Sequence, residues 1–231
     1  MFAVSALIAG CGGGGDAGPA QPPAAATAIP LASAMSTDIN RNRTGTISIT
    51  GTVTASGKTL DVTGSGTYAE STVAGTFEGT QGLRKHLELT GSVTVNGTSA
   101  PMTSISDAYF DANYKPLGST ANGGYCVTTS FTPLPATAQV GASGPWFAHD
   151  CFSSSAKLAK VGTGATTYSV EADGAGSALI RIATRVSDSA GNSVPSTATY
   201  RVTSAGGVTR IYDTSSIALN GVTLDLTITH Q

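Results

Sequence analysis

The chain has 231 residues, with 12 Lys and Arg against 14 Asp and Glu, a net charge of −2 and a pI near 5.8. Charged residues are only 11% of it, against about 25% in ordinary domains, and this balance excludes the basic footprint of a nucleic-acid binder, which needs a domain pI above about 9. The length fits one or two domains, and an all-β chain of this size can be one.

The first residues form a short apolar run, Phe2 to Ile8, that meets small residues and a cysteine at Ala9-Gly10-Cys11. The stretch Leu7-Ile8-Ala9-Gly10-Cys11 resembles the lipobox of bacterial lipoproteins. No Lys or Arg precedes it, which departs from the basic start of a secretory signal and which a true start further upstream would explain. The resemblance implies a signal peptide at residues 1–10 and lipidation of Cys11, which becomes the mature N-terminus. With Gly12 and not Asp next in line, it also implies sorting to the outer membrane. More than one acyl chain would sit on Cys11, and about two suffice for stable anchoring. No stretch approaches the roughly 18 apolar residues of a spanning helix. The first expected partner is therefore the membrane, held through a lipid anchor.

Residues 11–38 are dominated by Gly, Ala and Pro, as in Gly12-Gly13-Gly14-Gly15 and Pro22-Pro23-Ala24-Ala25-Ala26. Such a composition cannot bury a core and reads as a disordered tether. About 25 residues of this kind span roughly 25–30 Å.

Residues 39–115 alternate. Ile47, Ile49, Gly51 and Val53 share one face, opposite Thr46, Ser48, Thr50, Thr52 and Thr54. The same holds for Leu60, Val62, Gly64 and Tyr68, for Val73, Gly75 and Phe77, and for Leu87, Leu89, Gly91, Val93 and Val95. Period two over this length predicts half-buried antiparallel strands. A glycine on each apolar face lets a strand bend, so these strands are expected to form a strongly curled sheet.

Residues 116–231 are expected to be a second β meander, stapled by a disulfide and either separate from the first segment or continuous with it. The chain has three cysteines. With Cys11 taken by lipid, Cys126 and Cys151 remain to pair in an oxidising compartment. The loop of about 25 residues so closed would contribute roughly 3.5 kcal/mol in the loop-entropy model. A metal site would need more ligands than Cys126, Cys151 and His149 supply. Aromatic residues cluster from Tyr109 to Phe152 and include Trp146; beside a disulfide they are expected to form the packing centre. Strands follow at about 166–172, 178–187, 197–204, 208–213 and 222–229. Gly206-Gly207 and Asn220-Gly221 suit two-residue primed turns. The only candidate helix, Ser153 to Lys160, is short.

Catalytic patterns are scarce. Gly57-Lys58-Thr59 lacks the spacing and the strand-to-helix context of a phosphate loop. Ser154-Ser155-Ala156-Lys157 has the Ser-x-x-Lys spacing without its companion motifs. His149 and Asp150 are neighbours in a strand and point to opposite faces. Asp188-Ser189-Ala190-Gly191-Asn192 resembles a hairpin of bacterial immunoglobulin-like repeats over those five residues alone, and reads as an ordinary polar turn. Neither a cofactor nor an enzymatic activity is expected, and a hydrolase is the remote alternative.

One surface stands out. A two-residue hairpin at Gly206-Gly207 would set Arg201 opposite Tyr212 and bring Arg181, Arg185, Arg201 and Arg210 to one side of a three-stranded meander. Like charges across strands are unfavourable, so such a face recruits acids or an anionic ligand. These residues are the candidate site for an anionic glycan or lipid headgroup.

The elements Tyr125-Cys126-Val127, Thr132-Pro133-Leu134-Pro135, Val140-Gly141, Gly144-Pro145-Trp146 and Cys151-Phe152 resemble a class of uncharacterised bacterial envelope lipoproteins. That resemblance implies an anchored β-protein and no assigned activity. The expected fold is all-β, an antiparallel meander of strongly curved sheets, barrel-like or sandwich, after the tether. The leading expectation for function is a non-enzymatic lipoprotein that binds or scaffolds an envelope component. The alternative is a carrier that holds a lipid or other apolar ligand in a concave sheet.

Overall fold

The structure, a computed structural model, describes residues 28–121, 123–174, 176–219 and 221–231; Cys11 and the signal-like segment lie outside them. In chain order the elements are β1 (Ala28–Ile29), α1 (Leu31–Asn40), β2 (Arg43–Ala55), β3 (Lys58–Phe77), β4 (Thr80–Val95) and β5 (Thr98–Phe110). There follow β6 (Pro116–Ala121), β7 (Gly124–Phe131), β8 (Ala138–Gln139) and β9 (Ser143–Phe152). The last five are β10 (Lys160–Ala172), β11 (Ser177–Asp188), β12 (Ser193–Thr203), β13 (Val208–Leu219) and β14 (Val222–His230).

The alternation does what period two demands. On β2, Ile47 and Ile49 are 2% and 1% exposed, while Thr46 and Thr50 on either side of them face solvent. Tight turns make the hairpins: Ser56-Gly57, Glu78-Gly79 and Asn96-Gly97 all take positive φ at both positions, the signature of type I′ connections. The curl goes to completion. Twelve antiparallel strands close into one barrel, in the order β10-β11-β12-β13-β14-β2-β3-β4-β5-β6-β7-β9, and β1 pairs with β8 outside it. The last strand, β14, pairs with β2, and β5 pairs with β6, so residues 39–115 and 116–231 share one barrel. Gly66 and Gly91 face each other across β3 and β4. A Cβ at Gly66 would lie 2.2 Å from the Thr90 carbonyl oxygen, so only glycine permits this approach.

A barrel of about eight strands is just filled by its own side chains, whereas one of 16 encloses a channel. Twelve strands leave space that something else must occupy, and α1 occupies one end. Leu31, Ala34, Met35 and Ile39 are 0–4% exposed. Ile29, Leu31, Ala34 and Met35 pack against Trp146, Val170, Ile180, Tyr200, Val202 and Val208 of the barrel wall. This helix overlaps the stretch assigned to the tether, and the only candidate helix, Ser153 to Lys160, is irregular up to Lys160, where β10 begins. Ala and Ser made residues 31–40 look like linker, yet Leu31, Met35 and Ile39 recur at every fourth position. Pro30 at the N-cap offers no side-chain hydrogen bond, and ten residues are too few for a stable isolated helix. Burial holds α1 in place, at roughly 1.5–3 kcal/mol for each large side chain.

Thr44, Thr46, Thr50, Thr63, Ser65, Thr67 and Thr90 line the outer face, and Ile47, Ile49, Val62, Tyr68 and Leu89 of the same strands point inward, whereas Val73 is 45% exposed on the outer side. A barrel that spans a bilayer does the reverse, with an apolar band outward. Among the described residues no helix is long and apolar enough to cross a membrane.

Candidate functional site

Two polar assemblies lie inside the barrel, and they differ in kind. The first is a charge-balanced ionic cluster, in which only Asp38 Oδ1 and His230 Nδ1 are buried without a hydrogen-bond partner among the described residues. Arg43 Nε donates to Glu70 Oε2 at 2.7 Å, Lys85 Nζ lies 3.1 Å from the same oxygen, and Arg210 Nη1 lies 2.8 Å from Glu70 Oε1. Arg43 also reaches Asp38 Oδ1 at 2.9 Å, and Lys85 Nζ donates to the Asp38 carbonyl at 2.6 Å, which ties the last turn of α1 to the wall. Arg210 grips Asp213 with two hydrogen bonds of 2.9 and 2.8 Å, and His230 Nε2 sits 2.9 Å from Asp213 Oδ2. Three cations meet three carboxylates, so the cluster is neutral apart from His230. Burial pushes the Glu70 carboxyl up, but Arg43, Lys85 and Arg210 together outweigh it and hold the group at about 2. Burial likewise opposes ionisation of Asp213, and Arg210 and His230 hold it below the usual range. A charge-balanced network of this kind locks a plug to a wall.

The second assembly is incomplete. A cavity of about 120 Å³ is lined by inward residues of six strands: Phe110, Ser119, Thr128, Trp146, His149 and Thr184 are among them. Thr166 Oγ1 and Thr184 Oγ1 lie 3.0 Å apart and satisfy each other. The Thr128 hydroxyl is buried with no partner. His149, only 7% exposed, makes no side-chain hydrogen bond among the described residues, and burial lowers its pKa, which favours the neutral imidazole. The register of β7 on β9 sets Thr128 directly across from His149. One wall is aromatic. A bulge opposite Thr166 and Thr167 interrupts the alternation of β9 there, so that Trp146 and Phe147 lie with ring centroids 5.2 Å apart, and Phe147 continues to His149 at 5.9 Å.

Gly164 lies across from His149 and makes room for it: a Cβ there would lie 2.1 Å from the imidazole Nε2. Gly164→Ala should therefore displace the ring and cost about 1–3 kcal/mol, as overpacking does. Urea unfolding measures the loss, and the His149 ring resonances report the displacement. A variant with wild-type stability and an unmoved ring would contradict this packing.

The disulfide joins Cys126 and Cys151, facing residues of β7 and β9, beside the cavity. The aromatic cluster divides. Trp146 belongs to the main core, while Tyr109 and Tyr125 flank Phe77 at ring distances of 4.7 and 5.0 Å.

The arginine face does not assemble as expected. The connection at Gly206 and Gly207 is longer than two residues, since Val202 pairs with Val208, and a bulge follows at Thr199 and Tyr200. Arg201 consequently faces Thr209 and not Tyr212, a shift of three positions, and an odd shift exchanges the two faces of a strand. Arg210 turns inward to Glu70 and Asp213. Tyr212 pairs with Thr199 on the outer side, which Arg181 and Arg201 share. Arg181 Nε lies 2.9 Å from Glu171, Arg201 is paired with Asp173, and Arg185 donates to Ser193 Oγ at 3.1 Å. Two of the three outer arginines are thus neutralised by acids of the same wall.

The residues with catalytic spacing are dispersed. His149 points inward, while Asp150 binds Lys160 at 2.7 Å, and Lys157 binds Glu78 outside the barrel. No family model matches the chain, and neither a curated protein nor a solved structure matches it.

Proposed function

We propose that this chain is a non-enzymatic envelope lipoprotein, tethered through Cys11, whose barrel binds a small organic molecule in the cavity beside His149. The observation that carries the reading is the pair of unmatched polar groups, the Thr128 hydroxyl and the neutral His149 imidazole, at a space walled by Trp146, Phe147 and Phe110. An unpaired buried hydroxyl costs about 1–3 kcal/mol, a cost that a ligand atom would remove. Pockets for drug-sized ligands run from about 300 to 1,000 Å³, and a cavity near 150 Å³ takes a molecule the size of benzene. The space of about 120 Å³ therefore suits a single ring or short chain with one donor and one acceptor, and is too small for a whole lipid. Scaffolding through the outer arginines has less support, because Glu171 and Asp173 already neutralise two of them.

A fragment screen by protein-observed NMR tests the cavity. Monocyclic compounds with one donor and one acceptor should shift the resonances of His149 and Ile182, and Ala108→Phe, which fills the space, should abolish the shifts. A screen without such hits, or hits indifferent to Ala108→Phe, would refute it.

The anchor has its own test. In cells fed a palmitate analogue the full-length protein should carry label and partition with membranes, and Cys11→Ser should release it unlabelled. Equal partitioning of both forms would remove the anchor from the account.

A further inference from the structure

The cavity ends on a set of atoms that ligand binding uses only in part, through His149. The Sγ atoms of Cys126 and Cys151 and a ring nitrogen of His149 all lie within 4.8 Å of one another. Strand geometry puts them there. His149 and Cys151 are two apart on β9 and so share its inward face, and Cys126 lies directly across from Cys151 on β7. As a disulfide the sulfurs bind each other, and it is the thiolate that ligates metal. The ladder does not depend on that bond alone. Tyr125 pairs with Phe152 and Val127 with Asp150 on either side of it, and β7 and β9 are each held on their other edge by β6 and β10. Reduction therefore leaves both sulfurs facing each other beside His149.

We propose that reduction of this disulfide by a dithiol opens a zinc site of two cysteines and one histidine in the barrel wall. The dithiol gives up two electrons and becomes a disulfide, and Cys126 and Cys151 become thiols. Zn²⁺ then binds both sulfurs, their two protons leave to solvent, and the His149 nitrogen supplies the third bond. Two thiolates balance the charge of Zn²⁺, so the centre is neutral. A cuprous ion on the same ligands would leave one net negative charge, which a buried position disfavours. Three protein ligands are too few for the closed site that the sequence argues against, but they suffice for one whose fourth tetrahedral position is open, and the Thr128 hydroxyl lies across from His149 on the cavity side. Sites with an open position bind water or a small molecule at the metal. The inference stands apart from the ligand-binding reading, because the oxidised barrel can bind a molecule without metal.

The test uses the full chain, reduced with excess dithiothreitol, desalted without oxygen and titrated with Zn²⁺ against a chromophoric chelator, then with Co²⁺. The reduced protein should bind one equivalent, and its cobalt form should show thiolate charge-transfer absorption and tetrahedral d–d bands. The oxidised protein should show neither. His149→Ala, made and folded as the disulfide form before reduction, should weaken zinc binding more than about 100-fold, beyond what loss of a supporting contact costs. Equal affinity of oxidised and reduced protein would overturn the proposal, as would an unchanged affinity in His149→Ala. Loss of the near-ultraviolet signature on reduction alone would also overturn it, since the site depends on an intact ladder.

Discussion

Replacing Glu70 with alanine should lower the stability of the barrel by about 3–5 kcal/mol, the cost of breaking a buried ionic group by removing one partner. For a chain of this size that is a fall in Tm of roughly 6–20 °C. Glu70 has a fully buried side chain and answers three cations, Arg43, Lys85 and Arg210. Its loss leaves Arg43 and Lys85 to share Asp38, and Arg210 with Asp213 alone. Arg185→Ala on the outer face is the control and should stay within about 0.5 kcal/mol. The cluster also sets a pH dependence. The carboxyl of Glu70 titrates at about 2 in the folded chain against 4.5 as its ordinary value. A folded pKa below the unfolded one means stability that is present above about 4.5 and is lost as the pH falls toward 2. Its size is on the order of 3 kcal/mol, and Glu70→Gln should flatten that part of the profile. Urea midpoints measured from pH 6 to pH 2 check both statements. A Glu70→Ala protein as stable as the Arg185→Ala control would mean that the cluster contributes nothing.

Leu31→Ala is the second large effect. Leu31 is 0% exposed in the main core, and removing a buried leucine side chain costs about 2–5 kcal/mol. Because α1 is short and weakly capped, the loss should appear both in global unfolding and as faster amide exchange through residues 31–40. If α1 amides exchange quickly while the barrel keeps its full stability, then the helix is a loose cover and not part of the core.

Much of the barrel is legible before any coordinates. Alternation from Ile47 to Val95 marks the strands, and inward glycines such as Gly51, Gly64 and Gly91 allow the curl, but the four expected strands are three: Leu60–Tyr68 and Val73–Phe77 are one continuous β3, on which Val73, Gly75 and Phe77 take the outer face. The interior charges follow the same rule: Glu70 shares a face with Tyr68, Lys85 with Leu87 and Leu89, and His230 with Ile228. Their burial was not legible: the basic groups Arg41-Asn42-Arg43 and Arg84-Lys85-His86 read from sequence as solvated turns, yet Arg43 and Lys85 lie on strands and are buried against Glu70. Nor was the plug, because residues 31–40 have the composition of a linker, and only the spacing of Leu31, Met35 and Ile39 marks a helix. Arg210 was misplaced for a different reason. A four-residue connection shifts the register by three before the bulge at Thr199 and Tyr200 is reached, and Thr203-Ser204-Ala205-Gly206-Gly207 gives no clear sign of it. The cavity could not have been read at all. Thr128, Thr166 and Thr184 look like every other threonine of this chain, and only the register of six strands brings them to one space.

Native mass spectrometry of the protein, gently purified from its own host, tests the central claim most directly. The wild type should carry one small organic molecule per chain, in the mass range of a single ring with polar substituents, and Ala108→Phe prepared in parallel should carry none. A wild-type protein that arrives empty, or a bound mass retained unchanged by Ala108→Phe, would contradict a ligand seated beside Thr128 and His149.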